Sequence, residues 1–356
     1  MRNKILSVVG ARPQFVKLAP VNTALTAAGC EHVIIHTGQH YDHGMSDVFF
    51  RDLGIPEPDE NLSVGSGSHG QQTGQMLERL ERAFLAHTPD WVLVYGDTNS
   101  TLAAAVAAVK IHLPVAHLEA GLRSFNRSMP EEHNRVLTDH ASDLLLAPTD
   151  VAMAHLEREG IGDRAVLVGD VMTDVCLLTR DQVMVTPPDM PVDWNDGSPY
   201  VVATIHRQEN TDDPDRLRQI VGYLADSAVP VRLLVHPRLR SKASENRVVL
   251  ETGSIEVFEP LSYPQLVRAV VGSVGVVTDS GGLQKEAFLL DRPCVTIRTE
   301  TEWTETVEAG WNVLDPSCKL DIVDSLTGPR RATKPTPYGT GRASVEVARV
   351  LSEHGR

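Results

Sequence analysis

The chain is short of cations, short of cysteine and without any long apolar run, and each shortage excludes something. Lys and Arg number 33 against 47 Asp and Glu, a net charge of −14 over 356 residues. Nucleic acid and anionic membrane both require a basic surface, so wholesale binding to either is excluded and only a local cationic pocket stays open. The 4 cysteines, Cys30, Cys176, Cys294 and Cys318, show no C-x-x-C spacing. That argues against a zinc site or a disulfide framework and for free thiols in a reducing compartment. No apolar stretch reaches the roughly 18 residues that would span a bilayer. Met1–Lys4 followed by Ile5–Gly10 turns polar too soon for a secretory signal. The expectation is a cytoplasmic protein that needs no metal and no cofactor.

What the chain does have is a repeated alternation of short apolar runs and helical patterns. Ile5–Val9, Val33–His36, Trp91–Tyr95, Val115–Leu118 and Leu144–Ala147 read as strands, with helical spacing over Val16–Ala28, Leu102–Lys110 and Asp150–Glu159 between and after them. Such alternation implies a parallel sheet covered on both faces. A Pro- and Asp-rich stretch, Thr186–Pro199, reads as a linker. The alternation then restarts, with strands at Tyr200–Ile205, Val231–Val235, Val274–Thr278 and Pro293–Ile297. The length suits two domains. The fold class expected is α/β, two Rossmann-like doubly wound domains facing a central cleft. The boundaries fall at 1–180 and 181–340, and a short helical pattern over 341–356 closes the chain.

In open parallel sheets the ligand lies beyond the carboxyl ends of the strands, and here those ends are polar. Thr278-Asp279-Ser280-Gly281-Gly282 stops a strand and opens a helix. Two glycines let the backbone approach a ligand, and the free N–H groups favour a phosphate. Glu286, further along that helix, suits ribose hydroxyls. A plain capped turn with a surface glutamate is the competing reading. Gly10-Ala11-Arg12-Pro13 follows the first strand, and Arg12 with Lys17 can balance a diphosphate or remain solvated surface charge. Asp97 and Glu119 follow two later strands, and Glu131 and Glu132 begin a helix after Pro130. Carboxylates gathered on one side of a sheet can serve as acid, base or stabiliser of a cationic transition state. Capping and surface salt bridges compete with that. His206, in Ile205-His206-Arg207-Gln208-Glu209-Asn210, can assist a leaving phosphate or be structural; His236 repeats the pattern. Gly65-Ser66-Gly67-Ser68-His69-Gly70 matches the dinucleotide pattern, but it follows only a weak apolar segment and reads as a loop.

These motifs, taken in order over nearly the whole chain, resemble the non-hydrolysing UDP-N-acetylglucosamine 2-epimerases. The resemblance implies a glycosyltransferase-B-like fold, a homodimer, a UDP-sugar substrate and a final helix, 341–356, that returns to the first domain. It implies that UDP is eliminated to leave 2-acetamidoglucal and then added back. Asp97, Glu119 and Glu131 share the acid–base work by this likeness, and His206 assists the departing UDP. Arg12, Lys17, Arg123, Arg207, Asn210, Ser280, Gly281, Gly282 and Glu286 take the substrate. The chain departs from the family pattern where Trp303 replaces an arginine and Leu266 an aromatic residue near the nucleotide. Gln39, Arg207 and His236 match a set with which some members bind UDP-N-acetylglucosamine as an activator. Asp42 replaces a glutamine of that set, and no arginine occurs in Val64–Thr73, so weak or absent activation is expected. Gly38–Asp42, Ser124–Glu132 and Thr301–Trp303 also look like relatives acting on UDP-2,3-diacetamido-glucuronic acid, for which Arg123 or Arg127 can pair with the C6 carboxylate. A glycosyltransferase of the same architecture and a non-catalytic nucleotide-sugar sensor are the readings from other classes.

Overall fold

The computed structural model describes residues 3–39, 55–191, 194, 197–330 and 333–354, and divides the chain into two compact units. The first comprises Met1–Val175 and Thr336–Arg356, the second Cys176–Pro335.

In the first unit the strands are β1 (Lys4–Val9), β2 (Glu31–His36), β3 (Glu60–Asn61), β4 (Trp91–Tyr95), β5 (Val115–Leu118), β6 (Leu144–Ala147) and β7 (Ala165–Leu167). They form one parallel sheet in the order β3-β2-β1-β4-β5-β6-β7. The interior strands are apolar at nearly every position because helices cover both faces, as a parallel sheet requires. The helices are α1 (Arg12–Ala27), α2 (His69–His87), α3 (Asn99–Lys110), α4 (Pro130–Ala141) and α5 (Asp150–Arg158). Helix α1 begins before the apolar pattern does, because Pro13 suits a first helical turn and Gln14 bonds back to the Gly10 and Ala11 amides at 2.7 and 3.0 Å. The glycine-rich stretch 65–70 sits beside the two-residue edge strand β3, and Ser68 caps α2 with Gln71. It starts a helix after an edge strand and not after β1, where a dinucleotide motif would lie, although His69 reaches Asn99 beyond the end of β4 at 3.1 Å.

The unit boundary falls inside α6 (Val171–Val185) rather than in the Pro- and Asp-rich stretch. That stretch belongs to the second unit: Trp194 lies edge-on to Tyr200 and Phe258, and the buried Arg232 guanidinium lies 4.0 Å from the Tyr200 ring centroid. The chain returns to the first unit at Thr336, and α14 (Ala343–Glu353) completes its core. Val347, Ala348, Val350 and Leu351 pack with Leu18, Val21 and Leu25 of α1. Asp174 caps the returning helix, accepting from the Ala343 and Ser344 amides at 2.9 and 2.7 Å.

The second unit repeats the architecture with β8 (Val201–Thr204), β9 (Val231–Leu234), β10 (Ile255–Phe258), β11 (Gly275–Thr278), β12 (Cys294–Thr296) and β13 (Asn312–Leu314), parallel in the order β10-β9-β8-β11-β12-β13. Its helices are α7 (Gln208–Thr211), α8 (Pro214–Ala225), α9 (Pro237–Glu245), α10 (Tyr263–Gly272), α11 (Gly281–Leu289), α12 (Thr304–Glu308) and α13 (Ile322–Thr327). Each sheet reverses its winding direction at one crossover, β1/β4 and β8/β11, and ligands of such sheets gather beyond the strand ends there. No helix among the described residues is long and apolar enough to cross a membrane.

Candidate active site

The first unit brings a connected set of charged groups to the ends of β4 and β5. Gln14, fully buried in α1, donates to the Tyr95 carbonyl at 2.8 Å while its oxygen holds the Gly10 and Ala11 amides. It ties the end of β1 to the end of β4. Gly10 has no room for a side chain, since a Cβ there would stand 2.0 Å from Thr37 Oγ1.

Glu119, directly after β5, pairs with Lys17 of α1. Its backbone lies at φ +72, a left-handed conformation that is costly for a residue with a Cβ. That turn ends the strand, and the Lys17 ammonium holds the carboxylate there. Asp97, after β4, pairs with Arg135 of α4, and its carbonyl accepts from Asn134 at 2.9 Å. Arg135 also bonds Glu132 at 2.9 Å.

The adjacent glutamates divide their work. Glu132 is buried and accepts from the Ser124 amide, the Ser124 hydroxyl and the Phe125 amide. Burial pushes its carboxyl up, but those bonds and Arg135 outweigh that and hold it below the ordinary glutamate range. Glu131 is exposed in the first turn of α4.

Arg123, expected at the substrate, is a correction. Its side chain is 1% exposed and lies between Asp139, at 2.7 Å, and Glu159, which it holds with two bonds of 2.7 and 2.8 Å. Two carboxylates already neutralise it, so it carries no free charge for a diphosphate or a uronate. Asp139 itself, at 0% exposure, also meets His117 and the Gly121 amide. Burial raises its carboxyl, and the combined pull of His117, Arg123 and Gly121 brings it below the usual range.

In the second unit the glycine turn at the end of β11 is built around Asp279. Its buried carboxylate accepts from the His206 and Arg207 amides and from the Asn210 side chain, with His206 Nδ1 at 3.2 Å. These contacts overcome the upward pull of burial and hold the carboxyl below its ordinary value. Asn210 is the second correction. It is buried, donates to Asp279 and the Ile297 carbonyl at 3.1 Å each, and accepts from Arg216. It supports the site from behind and does not face a ligand. Ser280 caps α11, with Gly281 and Gly282 as its first residues. Trp303, which replaces the family's arginine, donates from its indole to the Gly281 carbonyl at 2.7 Å, and Arg207 Nε donates to the Asp279 carbonyl at 2.9 Å. Both side chains brace the turn.

Beside this turn lies a cavity of about 260 Å³, lined by His206, His236, Pro260, Leu261, Leu266, Ser280, Gly282 and Glu286 among others. Leu266 provides apolar wall where the family's pattern has an aromatic. Glu286 is raised to about 7 by burial, against the opposing pull of the Tyr263 hydroxyl and Lys285. His236 accepts from the Arg238 amide at 3.2 Å through Nδ1, which leaves Nε2 as its proton-bearing nitrogen, and its ring lies 5.5 Å from that of His206. Gln39 lies in the other unit, its side-chain oxygen accepting from the Ser100 amide and hydroxyl at 3.0 and 2.6 Å. The side chain of Arg12, and Asp42 entirely, lie outside the described residues.

Two parallel-sheet units, one with paired carboxylates at its strand ends and one with a braced glycine turn beside an apolar cavity, define an α/β protein of two doubly wound units. The chain belongs to the UDP-N-acetylglucosamine 2-epimerase family, whose sequence profile matches residues 23–352, and is thus an isomerase of UDP-sugars. It is 45% identical to the UDP-2,3-diacetamido-2,3-dideoxy-D-glucuronate 2-epimerase of Pseudomonas aeruginosa, over 98% of this chain and 99% of that one. It is 38% identical to the UDP-N-acetylglucosamine 2-epimerase of Methanocaldococcus jannaschii, again over 98% and 99%. A solved structure of UDP-GlcNAc 2-epimerase from that organism matches with a TM-score of 0.86 at 36% identity, covering 98% of this chain and 99% of that chain. The shared architecture is the glycosyltransferase-B-like two-domain fold.

Proposed function

We propose that the protein interconverts UDP-N-acetylglucosamine and UDP-N-acetylmannosamine by expelling UDP and adding it back. The carrying observation is the placement of Glu119–Lys17 and Asp97–Arg135 at the ends of two neighbouring strands. No carbonyl stands beside C2 of the sugar, so its hydrogen is not acidic. Loss of that proton becomes feasible when the bond from C1 to the diphosphate oxygen breaks. A carboxylate takes the C2 proton, the C–H electron pair becomes the C1–C2 double bond, and the C1–O pair leaves with UDP. The reverse addition, with the proton delivered to the opposite face, inverts C2. Carboxylates beside cations stay available as base and as stabilisers of the oxocarbenium-like charge. Asp97, Glu119 and Glu131 take these roles in our reading. Ser280, Gly281 and Gly282 hold the diphosphate, His206 assists its departure, and Glu286 takes the ribose hydroxyls.

A second substrate, the UDP-2,3-diacetamido-glucuronate, is favoured by the 45% identity to the Pseudomonas aeruginosa enzyme. With Arg123 buried, Arg127 is the remaining candidate for the C6 carboxylate. It is exposed and forms no salt bridge with any described carboxylate. One assay in heavy water tests both. Epimerisation places deuterium at C2 of whichever UDP-sugar is the substrate. Glycosyl transfer or simple binding leaves C2 unlabelled for both and ends the proposal.

Glu286 gives a pH-dependent expectation. The folded carboxyl is raised, so the stability it contributes is full below the ordinary glutamate range and is lost as pH rises through about 7. Ribose hydroxyls donate best to the ionised form, so affinity should move the other way. Uridine, which has no titrating phosphate, should bind up to about tenfold tighter at pH 8 than at pH 6, the ratio of ionised fractions. His206 and His236 share the cavity, so the comparison that decides is Glu286→Gln, in which calorimetry should show the dependence flattened. An equal pH dependence in both proteins would assign it to the histidines.

A further inference from the structure

The reaction above leaves His117 without a task, yet its ring is completely buried with an oxygen atom at each nitrogen. Nδ1 lies 2.6 Å from Asp139 Oδ1 and Nε2 lies 2.7 Å from the Gly96 carbonyl oxygen. A carbonyl oxygen can only accept, so Nε2 donates. The other oxygen of Asp139 accepts from the Arg123 guanidinium at 2.7 Å and from the Gly121 amide at 3.0 Å. That cation favours the ionised carboxylate, so Nδ1 donates as well. We infer that His117 is held as a doubly protonated imidazolium and is a positioning residue for the epimerisation, fixing the Gly96–Asp97 turn. The inference rests on the reaction proposed above.

The geometry supplies the reason. His117 sits on β5, and Tyr95 is in register with Leu118, so the ring lies under the end of β4. Gly96 has φ +61, and a Cβ on it would stand 3.2 Å from Glu119 Oε2 and 3.8 Å from Lys17 Nζ. The turn therefore rests against the Glu119–Lys17 pair on one side and is bonded from below by His117. Asp97 is its next residue. Rotation of the Gly96 peptide would carry Asp97 away from Asn134 and Arg135. A ring that donates at both ends couples helix α4, through Asp139, to the turn that bears Asp97. A neutral ring would place a lone pair against one of its two oxygen partners.

Two experiments test this. Neutron diffraction from deuterium-exchanged crystals of the wild-type enzyme, or 15N spectra of histidine-labelled protein, should show hydrogen on both ring nitrogens of His117; one bare nitrogen overturns the inference. His117→Gln can donate from its amide nitrogen to only one end of the pair and presents an acceptor oxygen at the other; it should lower kcat about 100-fold with KM for the UDP-sugar changed less than about threefold, as expected for a reacting group displaced without loss of binding. Loss of stability with kcat unchanged, or a raised KM with kcat kept, would overturn the positioning role. If the variant does not fold, the wild-type proton count decides the imidazolium, and His117→Asn, read by the same split of kcat against KM, decides the positioning role. Absence of C2 deuteration in the wild type would remove the proposed reaction, and the positioning role with it, while leaving the two-proton ring standing.

Discussion

Glu119→Gln is expected to reduce turnover by about two to four orders of magnitude, the usual effect of removing a positioned acid–base group. The substitution keeps the shape of the side chain and its hydrogen-bonding reach. It removes the charge facing Lys17, in a position where both side chains are only 12% exposed. The left-handed backbone at φ +72 is the same for either residue, so the fold should survive. Asp97→Asn should behave alike, because its partner Arg135 remains anchored by Glu132. Kinetics of C2 deuteration, with circular dichroism to check folding, make the measurement. Near-normal rates in both variants would remove these carboxylates from the reaction.

The largest stability effect is expected at Asp139. Asp139→Ala leaves the buried Arg123 guanidinium with one carboxylate in place of two, and His117 with no partner at Nδ1. Breaking a buried ion pair by deleting one member costs about 3–5 kcal/mol, because the remaining charge stays out of water. The loss should appear as a lower urea midpoint of the first unit. Trp91 of β4 reports on that unit, because the other tryptophans, Trp194, Trp303 and Trp311, all lie in the second. Glu159→Ala is the control. Glu159 is 26% exposed and water can replace it, so a smaller loss is expected. Equal losses in the two variants would mean that Asp139 is no more than a surface-like partner.

Much of the fold was legible because buried parallel strands are continuous apolar runs. Trp91–Tyr95, Val115–Leu118 and Leu144–Ala147 read directly and lie as read. The strands missed were β3, β7, β10 and β13, all at sheet edges and two to four residues long. An edge strand is buried on fewer sides, so its composition carries little signal. The return of the chain at Thr336 was expected only from the family likeness, since nothing in local periodicity says which core a helix completes.

Candidate residues were legible where a strand ends in glycine or a charged group. Asp97, Glu119, His206 and Ser280–Gly282 all follow strands. Their partners were harder. Arg135 stands three residues after Glu132 and was open to a helical-spacing argument. Asp279 stands inside the Thr278–Gly282 turn, and His117 two residues before Glu119, but neither carries a mark of what it will touch.

The sequence by itself determined the alternation of strand and helix, the polar strand ends, the acidic surface and, through ordered motifs, the family. These are local properties, written in the period of apolar residues and in single positions. Tertiary structure alone decided which charges are free and which are engaged. Arg123 and Arg135 are equal cations in the sequence, yet one lies buried between two carboxylates and the other holds Asp97 at the site. Glu131 and Glu132 are neighbours, yet one is exposed and the other closes a loop. A charged group is defined by what surrounds it, and in this protein those surroundings arrive from residues 3 to 102 positions away.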